Sequence, residues 1–131
     1  MVAFNFTVFL DQIKSGKKTR TIRKSARAKK GDKIQLYTGM RTKDCRKLVC
    51  QDATLLDVTK VRISESGVIA FGGEIRGLDD FAIYDGFNNW SEMKSFFRDT
   101  YGLPFTGFMH RWHWPENTEH PTKPLAACKP M

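Results

Sequence analysis

The alternation of apolar and polar residues changes its phase within residues 53–63. This change constrains the fold more than any other feature of the chain. The apolar positions are first Leu56 and Val58 and then Val61 and Ile63, so the face that carries them switches. Because successive side chains of a strand point to opposite faces, the switch indicates a β-bulge or a sharp bend. Bends of this kind are typical of small sheets that close into barrels, so the segment predicts a long, bent strand in such a sheet.

Periodicity and turn residues predict the other elements, which make an α+β fold around one core, as expected for about 100–150 residues. Asn89 with Glu92 three residues later has the pattern of a capping box, so a helix should begin at Trp90. In chain order the elements are a strand at 4–8, a helical turn at 9–13, an extended segment at 18–23, a basic loop at 25–33, strands at 34–37 and 53–63, a hairpin strand at 67–75, the capped helix and a strand at 105–114.

The charge is strongly positive and unevenly placed. The net charge is +8 and the sequence pI is about 9.6. Lysines and arginines dominate residues 14–33, where Asp32 is the sole acidic residue, and a second basic cluster follows at 41–47. Such a surplus predicts one basic face that attracts polyanions, with a merely solvated face as the alternative. The loop at 25–33 also suits docking of an acidic protein partner, which is a third hypothesis.

The cysteines and the hydropathy favour a cytoplasmic protein. Cys45, Cys50 and Cys128 are odd in number and follow no signal peptide or apolar membrane span, which indicates reduced thiols and no membrane partner. The spacing of Cys45 and Cys50 is too wide for a typical zinc site, and His110 and His113 should lie on opposite faces of a strand. We therefore expect no metal site, and nothing in the sequence implies a cofactor.

The run Ser15-Gly16-Lys17-Lys18-Thr19-Arg20-Thr21-Ile22-Arg23 carries the strongest functional pattern. Cations alternate with threonines, which suits an extended segment whose side chains point to alternate faces. Strict alternation places Thr19 and Thr21 on one face and Lys18, Arg20 and Ile22 on the other, unless a bulge intervenes. The run is therefore a binding or catalytic site, or a solvated edge.

Together with three shorter motifs, this run resembles the ASCH family over roughly Phe4 to Trp114. The shorter motifs are Gly31-Asp32-Lys33-Ile34, Gly39-Met40-Arg41-Thr42-Lys43 and Asp85-Gly86-Phe87. The resemblance, to the small single-domain bacterial and phage type, implies a PUA-like fold, a small β-barrel with a few packed helices and a cleft between barrel and helix. The domain would span residues 1–114, and residues 115–131 would be a proline-containing C-terminal tail.

The resemblance implies two functions. The first is binding of RNA, single-stranded nucleic acid or a modified nucleoside in a basic cleft, which requires only the charge and the barrel. Cations would contact phosphates while Tyr37 or Trp112 stacks on a base. The cations proposed for this role are Lys17, Arg20, Arg23, Lys24, Arg41 and Lys43.

The alternative is an amidohydrolase that removes the acyl group from N4-acetylcytidine, as some small bacterial ASCH proteins do. Carried across by motif, the catalytic lysine, threonine and acidic residue would be Lys18, Thr21 and Asp85. The family has Glu at the acidic position, so Asp85 is one methylene shorter. Without catalysis, Thr21 would be an ordinary strand residue and Asp85 would cap a turn.

Overall fold

The computed structural model describes residues 2–115, which form an α+β fold with one mixed sheet and three helices. The α+β class predicted from periodicity is confirmed, and the proposed tail lies outside the described residues except for Pro115. The elements are β1 (Val2–Asn5), α1 (Leu10–Lys14), β2 (Arg20–Arg23), β3 (Lys33–Thr38), β4 (Arg46–Lys47), β5 (Ala53–Ser64), β6 (Gly67–Ala70), β7 (Gly73–Glu74), α2 (Leu78–Tyr84), α3 (Trp90–Tyr101) and β8 (Phe105–His113).

The sheet is not closed into a barrel, which corrects the closed sheet expected from the bent strand. β1 pairs in parallel with β3, β3 pairs with β4 and β5, β5 pairs with β6 and β8, β6 pairs with β7, and β8 pairs with β2. Among the described residues no ladder joins β1 to β2. The side chain of Arg23 spans this gap instead, because its Nη2 donates to the Asn5 carbonyl oxygen at 2.9 Å.

The predicted bulge is confirmed, slightly earlier in β5 than the apolar pattern suggested. The register of β5 against β8 shifts between Leu55 and Asp57. Leu55 is buried with Trp112 in one hydrophobic cluster, whereas Val61 and Ile63 are buried in another. The bulge therefore lets one strand contribute to two clusters, where the sequence predicted a single core.

The capped helix is confirmed, and the short helix before it was missed. The Asn89 Oδ1 accepts the Glu92 N–H at 2.8 Å, and Met93 and Phe97 of α3 are buried. α2 has only seven residues, which is too short a segment to show a recognisable helical period. The two helices are joined by Asp79, whose Oδ1 accepts the Trp90 N–H at 2.8 Å.

Two further expectations concern membranes and thiols. No helix within residues 2–115 has the length and apolar character needed to span a membrane. Cys45 is a free, exposed thiol, whereas Cys50 is disulfide-bonded, so the prediction of reduced thiols is wrong for Cys50. Cys128 lies outside the described residues.

Candidate functional site

A cleft of about 160 Å³ opens between the end of β1, strand β2 and helices α2 and α3. It lies at one end of the gap that the missing β1–β2 ladder leaves. Six of its thirteen lining residues are aromatic, and its charged side chains come from the cationic run and from the end of α2. The aromatic residues are Phe6, Phe9, Phe87, Phe96, Phe97 and Tyr101, and the polar ones include Lys18, Thr21, Arg23 and Asp85.

Lys18 is buried at the cleft and forms an ion pair with Asp85. The lysine is 2% exposed and Asp85 3% exposed, and Lys18 Nζ lies 3.1 Å from Asp85 Oδ1. The same Nζ donates to the Asp85 backbone carbonyl oxygen and lies 5.2 Å from the centroid of the Phe9 ring. Removing two charges from water costs several kcal/mol per ion, so such a pair needs close, multiple contacts.

The expected division of the run into two faces is wrong for Lys18. Lys18 precedes β2, and its N–H donates to the Gln12 carbonyl oxygen at 2.9 Å, so strand alternation does not govern its side chain. Thr21 lies within β2 opposite His110 and lines the same cleft as Lys18. The structure therefore places Lys18, Thr21 and Asp85 around one cleft.

The backbone conformation and the close contacts of Gly86 explain why a glycine follows Asp85. Its φ is +107°, a conformation that favours glycine, and a Cβ there would meet Phe9 Cγ at 3.0 Å and Lys18 Cδ at 3.2 Å. Asp85 caps the end of α2 through its own N–H, which donates to the Ala82 carbonyl oxygen at 3.1 Å. The Asp-Gly pair thus holds the carboxylate at the helix end and leaves room for the lysine side chain.

Burial moves both members of the pair toward their uncharged forms. It lowers the pKa of Lys18, and the nearby charges of Arg23 and Arg20 lower it further, although Asp85 opposes the shift. Burial raises the pKa of Asp85, against the opposing attraction of Lys18. Groups displaced in this way can accept and release a proton between the ordinary titration ranges of lysine and aspartate.

Thr21 contributes a hydroxyl to the same cleft. The residue is 6% exposed, and no hydrogen bond holds its hydroxyl within residues 2–115. A threonine hydroxyl becomes a nucleophile when an adjacent base takes its proton. The cleft therefore holds a hydroxyl, an amine and a carboxyl group, two from the cationic run and one from the end of α2.

The cations predicted to bind phosphate do not lie at one site. Arg23 lines the cleft, whereas Arg20 points to the other face of β2, with its Cζ 4.9 Å from the Tyr84 ring centroid. Lys17 is exposed, and Lys24 Nζ lies 5.4 Å from the Tyr101 ring centroid. Arg41 and Lys43 are exposed in the loop after β3 and do not line the cleft.

The two aromatic residues predicted to stack on a base lie outside the cleft. Trp112 is 2% exposed and packs edge-on against Phe6, so the structure corrects the stacking role proposed for it. Tyr37 is half-buried in β3, and its hydroxyl donates to Gln35 Oε1 at 3.1 Å. The wall is built instead by residues that the sequence analysis assigned to the core or left without a role. Two carried a signal, since Phe87 belongs to the Asp-Gly-Phe motif and Phe96 to the aromatic stripe of α3.

Metal ligands are not grouped in the part of the chain that the structure describes. Within residues 2–115, no three His, Cys, Asp or Glu side chains lie close enough together to hold a metal ion. His110 is buried and His113 exposed, in agreement with their predicted placement on opposite faces. Burial lowers the pKa of His110, and its Nε2 accepts the Arg27 N–H at 3.1 Å.

Comparison of the chain with protein-family models, with curated proteins and with solved structures gives no match. The chemistry available to the cleft therefore follows from its own residues and their geometry.

Replacement of one member of the buried pair should destabilise the fold strongly. Lys18→Met leaves Asp85 buried without its partner, which typically costs about 3–5 kcal/mol of unfolding free energy. The double variant Lys18→Met/Asp85→Asn should lose less than the sum of the two single losses, as measured by urea denaturation of all four proteins.

Lys94→Met is the matched control, because Lys94 lies 3.9 Å from the exposed Glu65 and a surface pair contributes less than about 1 kcal/mol. Additive losses at Lys18 and Asp85 would show that the two side chains do not interact in solution.

Proposed function

We propose that the chain is an ASCH-type protein with an open variant of the PUA-like fold, and that it removes the acyl group from N4-acetylcytidine or a related nucleoside. The observation that carries the proposal is the meeting of Lys18, Thr21 and Asp85 at one cleft. A surface that only attracted phosphates would not require a buried lysine–aspartate pair beside an unbonded hydroxyl. The charge alone therefore does not account for the cleft, whereas amide hydrolysis uses each of its polar groups.

The pair supplies the proton transfers of the reaction. With Lys18 neutral and Asp85 protonated, the Thr21 oxygen attacks the acyl carbon and its proton passes to Lys18 Nζ. The carbon–nitrogen bond then breaks, and the exocyclic nitrogen of the base leaves with the proton of Asp85. Water next attacks the acyl-threonine ester and gives a proton to Asp85, while Lys18 returns its extra proton to the Thr21 oxygen. The three residues end in their starting forms.

The size and lining of the cleft suit one planar base. At about 160 Å³ it is smaller than the ~300–1,000 Å³ pockets that hold drug-sized ligands. Phe9 and Phe87 pack edge to face with their centroids 4.7 Å apart, which gives the wall a rigid aromatic corner. A cytosine ring with a small acyl group matches these dimensions, and a bulky acyl chain does not.

Thr21→Ala and Lys18→Met should each abolish most hydrolysis of N4-acetylcytidine. Loss of the nucleophile or of its base should lower kcat/KM by about 10²–10⁴-fold or more, measured by chromatography of released cytidine. Thr19→Ala is the matched control, because Thr19 belongs to the same run but does not line the cleft. Equal rates for the unsubstituted protein and the Thr21 and Lys18 variants would reject the catalytic roles.

The pH profile of kcat/KM should be bell-shaped. The bell should be narrower than the one expected if the two residues kept the pKa values of free lysine and aspartate. The active pair holds one proton in total, so activity falls when the pair gains a second proton or loses its last. Because the pKa of Asp85 is raised from 3.8 and that of Lys18 lowered from 10.5, the acid limb should lie above 3.8 and the alkaline limb below 10.5. Limbs at those two unshifted values would contradict the assignment.

A second candidate function, binding of RNA or single-stranded DNA, is favoured by the cations at the mouth of the cleft. Lys24 lies over the ring of Tyr101, which lines the cleft and is 43% exposed. A cation beside an exposed aromatic ring suits a single-stranded nucleic acid, because a phosphate contacts the cation while a base stacks on the ring. Lys17, in the cationic run that precedes Lys24, is a further exposed positive charge.

Binding of a single strand should weaken steeply with salt, since each neutralised phosphate contributes about −0.7 to the slope of log K against log salt. Lys24→Ala should make this slope shallower by about that amount in a fluorescence titration. Lys94→Ala, which removes a cation on α3 that faces Glu65, should leave the slope unchanged. Absence of any complex at low salt would reject this function.

A further inference from the structure

A second cavity, of about 290 Å³, lies against β1 and the loop after β3. It is lined by Ala3, Asn5, Arg27, Met40 and Arg41. Two of these five residues are arginines, and neither is paired with a carboxylate within residues 2–115. The cavity therefore presents uncompensated positive charge.

Arg23 connects this cavity with the catalytic cleft. Its side chain lines the cleft, and its Nη2 donates to the carbonyl oxygen of Asn5, which lines the second cavity. Both cavities thus border the gap that is left because β1 and β2 do not pair. A ligand that occupies both cavities would therefore have to pass the Arg23 side chain.

Both arginines of the cavity are attached to anchored backbone. The N–H of Arg27 donates to Nε2 of the buried His110 at 3.1 Å, and its guanidinium carbon lies 5.3 Å from the Phe4 ring centroid. Arg41 follows Met40, whose N–H donates to Asn5 Oδ1 at 2.9 Å. These bonds anchor the backbone of the two segments whose exposed arginines line the cavity.

The anion that suits this arrangement is a phosphate. Guanidinium groups bind phosphate oxygens through paired, charge-assisted hydrogen bonds. The positive charge of Arg27 adds to burial in lowering the pKa of Arg23, so these cations repel each other when the cavity holds no anion. A phosphate placed among the arginines would relieve that repulsion.

We infer that the second cavity binds a phosphate attached to the nucleoside whose base enters the cleft, so that a nucleotide or a nucleic-acid strand is a better substrate than the free nucleoside. The inference rests on the proposed function for the identity of the base. It adds Arg27 and Arg41 as the residues that select phosphorylated substrates.

Calorimetry with the Thr21→Ala protein tests this inference without turnover. N4-acetylcytidine is compared at low salt with its 5′- and 3′-monophosphates, and with a short oligonucleotide that carries the same base internally. At least one monophosphate should bind about tenfold more tightly than the nucleoside, as expected for charge-assisted hydrogen bonds. Tighter binding of the oligonucleotide than of either monophosphate would identify a strand as the source of the phosphate.

Arg27→Ala and Arg41→Ala, each added to Thr21→Ala, should remove that preference and leave binding of the nucleoside unchanged. Arg62→Ala is the matched control, because Arg62 is an exposed arginine of β5 that does not line the cavity. Equal affinity for nucleoside and monophosphates, or a preference that survives both arginine substitutions, would overturn the phosphate site.

The test separates the two proposals. Hydrolysis of N4-acetylcytidine by the unsubstituted protein, with no arginine-dependent preference in the Thr21→Ala series, would reject the phosphate site alone. An arginine-dependent preference in a protein that hydrolyses neither the nucleoside nor its monophosphates would reject the amidohydrolase and retain the phosphate site.

Discussion

The buried ion pair between Lys18 and Asp85 is the interaction on which the cleft depends. It joins the segment before β2 to the end of α2, two parts of the chain that no strand ladder connects. Its charges lie out of water, so the surrounding chain must supply close contacts, and Gly86 provides the space for them. The burial that makes the pair costly also lowers the pKa of Lys18 and raises that of Asp85, so that both residues are moved toward their uncharged forms. The proposed proton transfers start from these forms.

The open seam between β1 and β2 gives the pair access to a ligand. A closed ladder would fill this seam with backbone hydrogen bonds, whereas here the guanidinium of Arg23 spans it and stacks over Phe6 at 4.9 Å. Arg23 lines the cleft, and the Asn5 residue that it contacts lines the second cavity. The unpaired edge of β1 is thus a feature of both cavities.

Elements with a strong period could be predicted from the sequence, and contacts set by tertiary packing could not. The bulge in β5 and the cap of α3 at Asn89 are local patterns, and both are confirmed. The side assigned to Lys18 was wrong because the Lys18 N–H donates to the Gln12 carbonyl oxygen, and this bond orients the segment before the strand begins. Trp112 was taken for a surface aromatic because alternation cannot indicate that both faces of β8 are covered.

The shorter acidic side chain is consistent with the position of Asp85 at the end of α2. Lys18 Nζ contacts both the carboxylate and the backbone carbonyl of this one residue, so the carboxylate must stay close to its own main chain. Aspartate satisfies that condition, whereas the additional methylene of glutamate would carry the carboxylate away from the carbonyl. Asp85 therefore draws the lysine side chain toward the end of α2, at the cleft that Thr21 also lines.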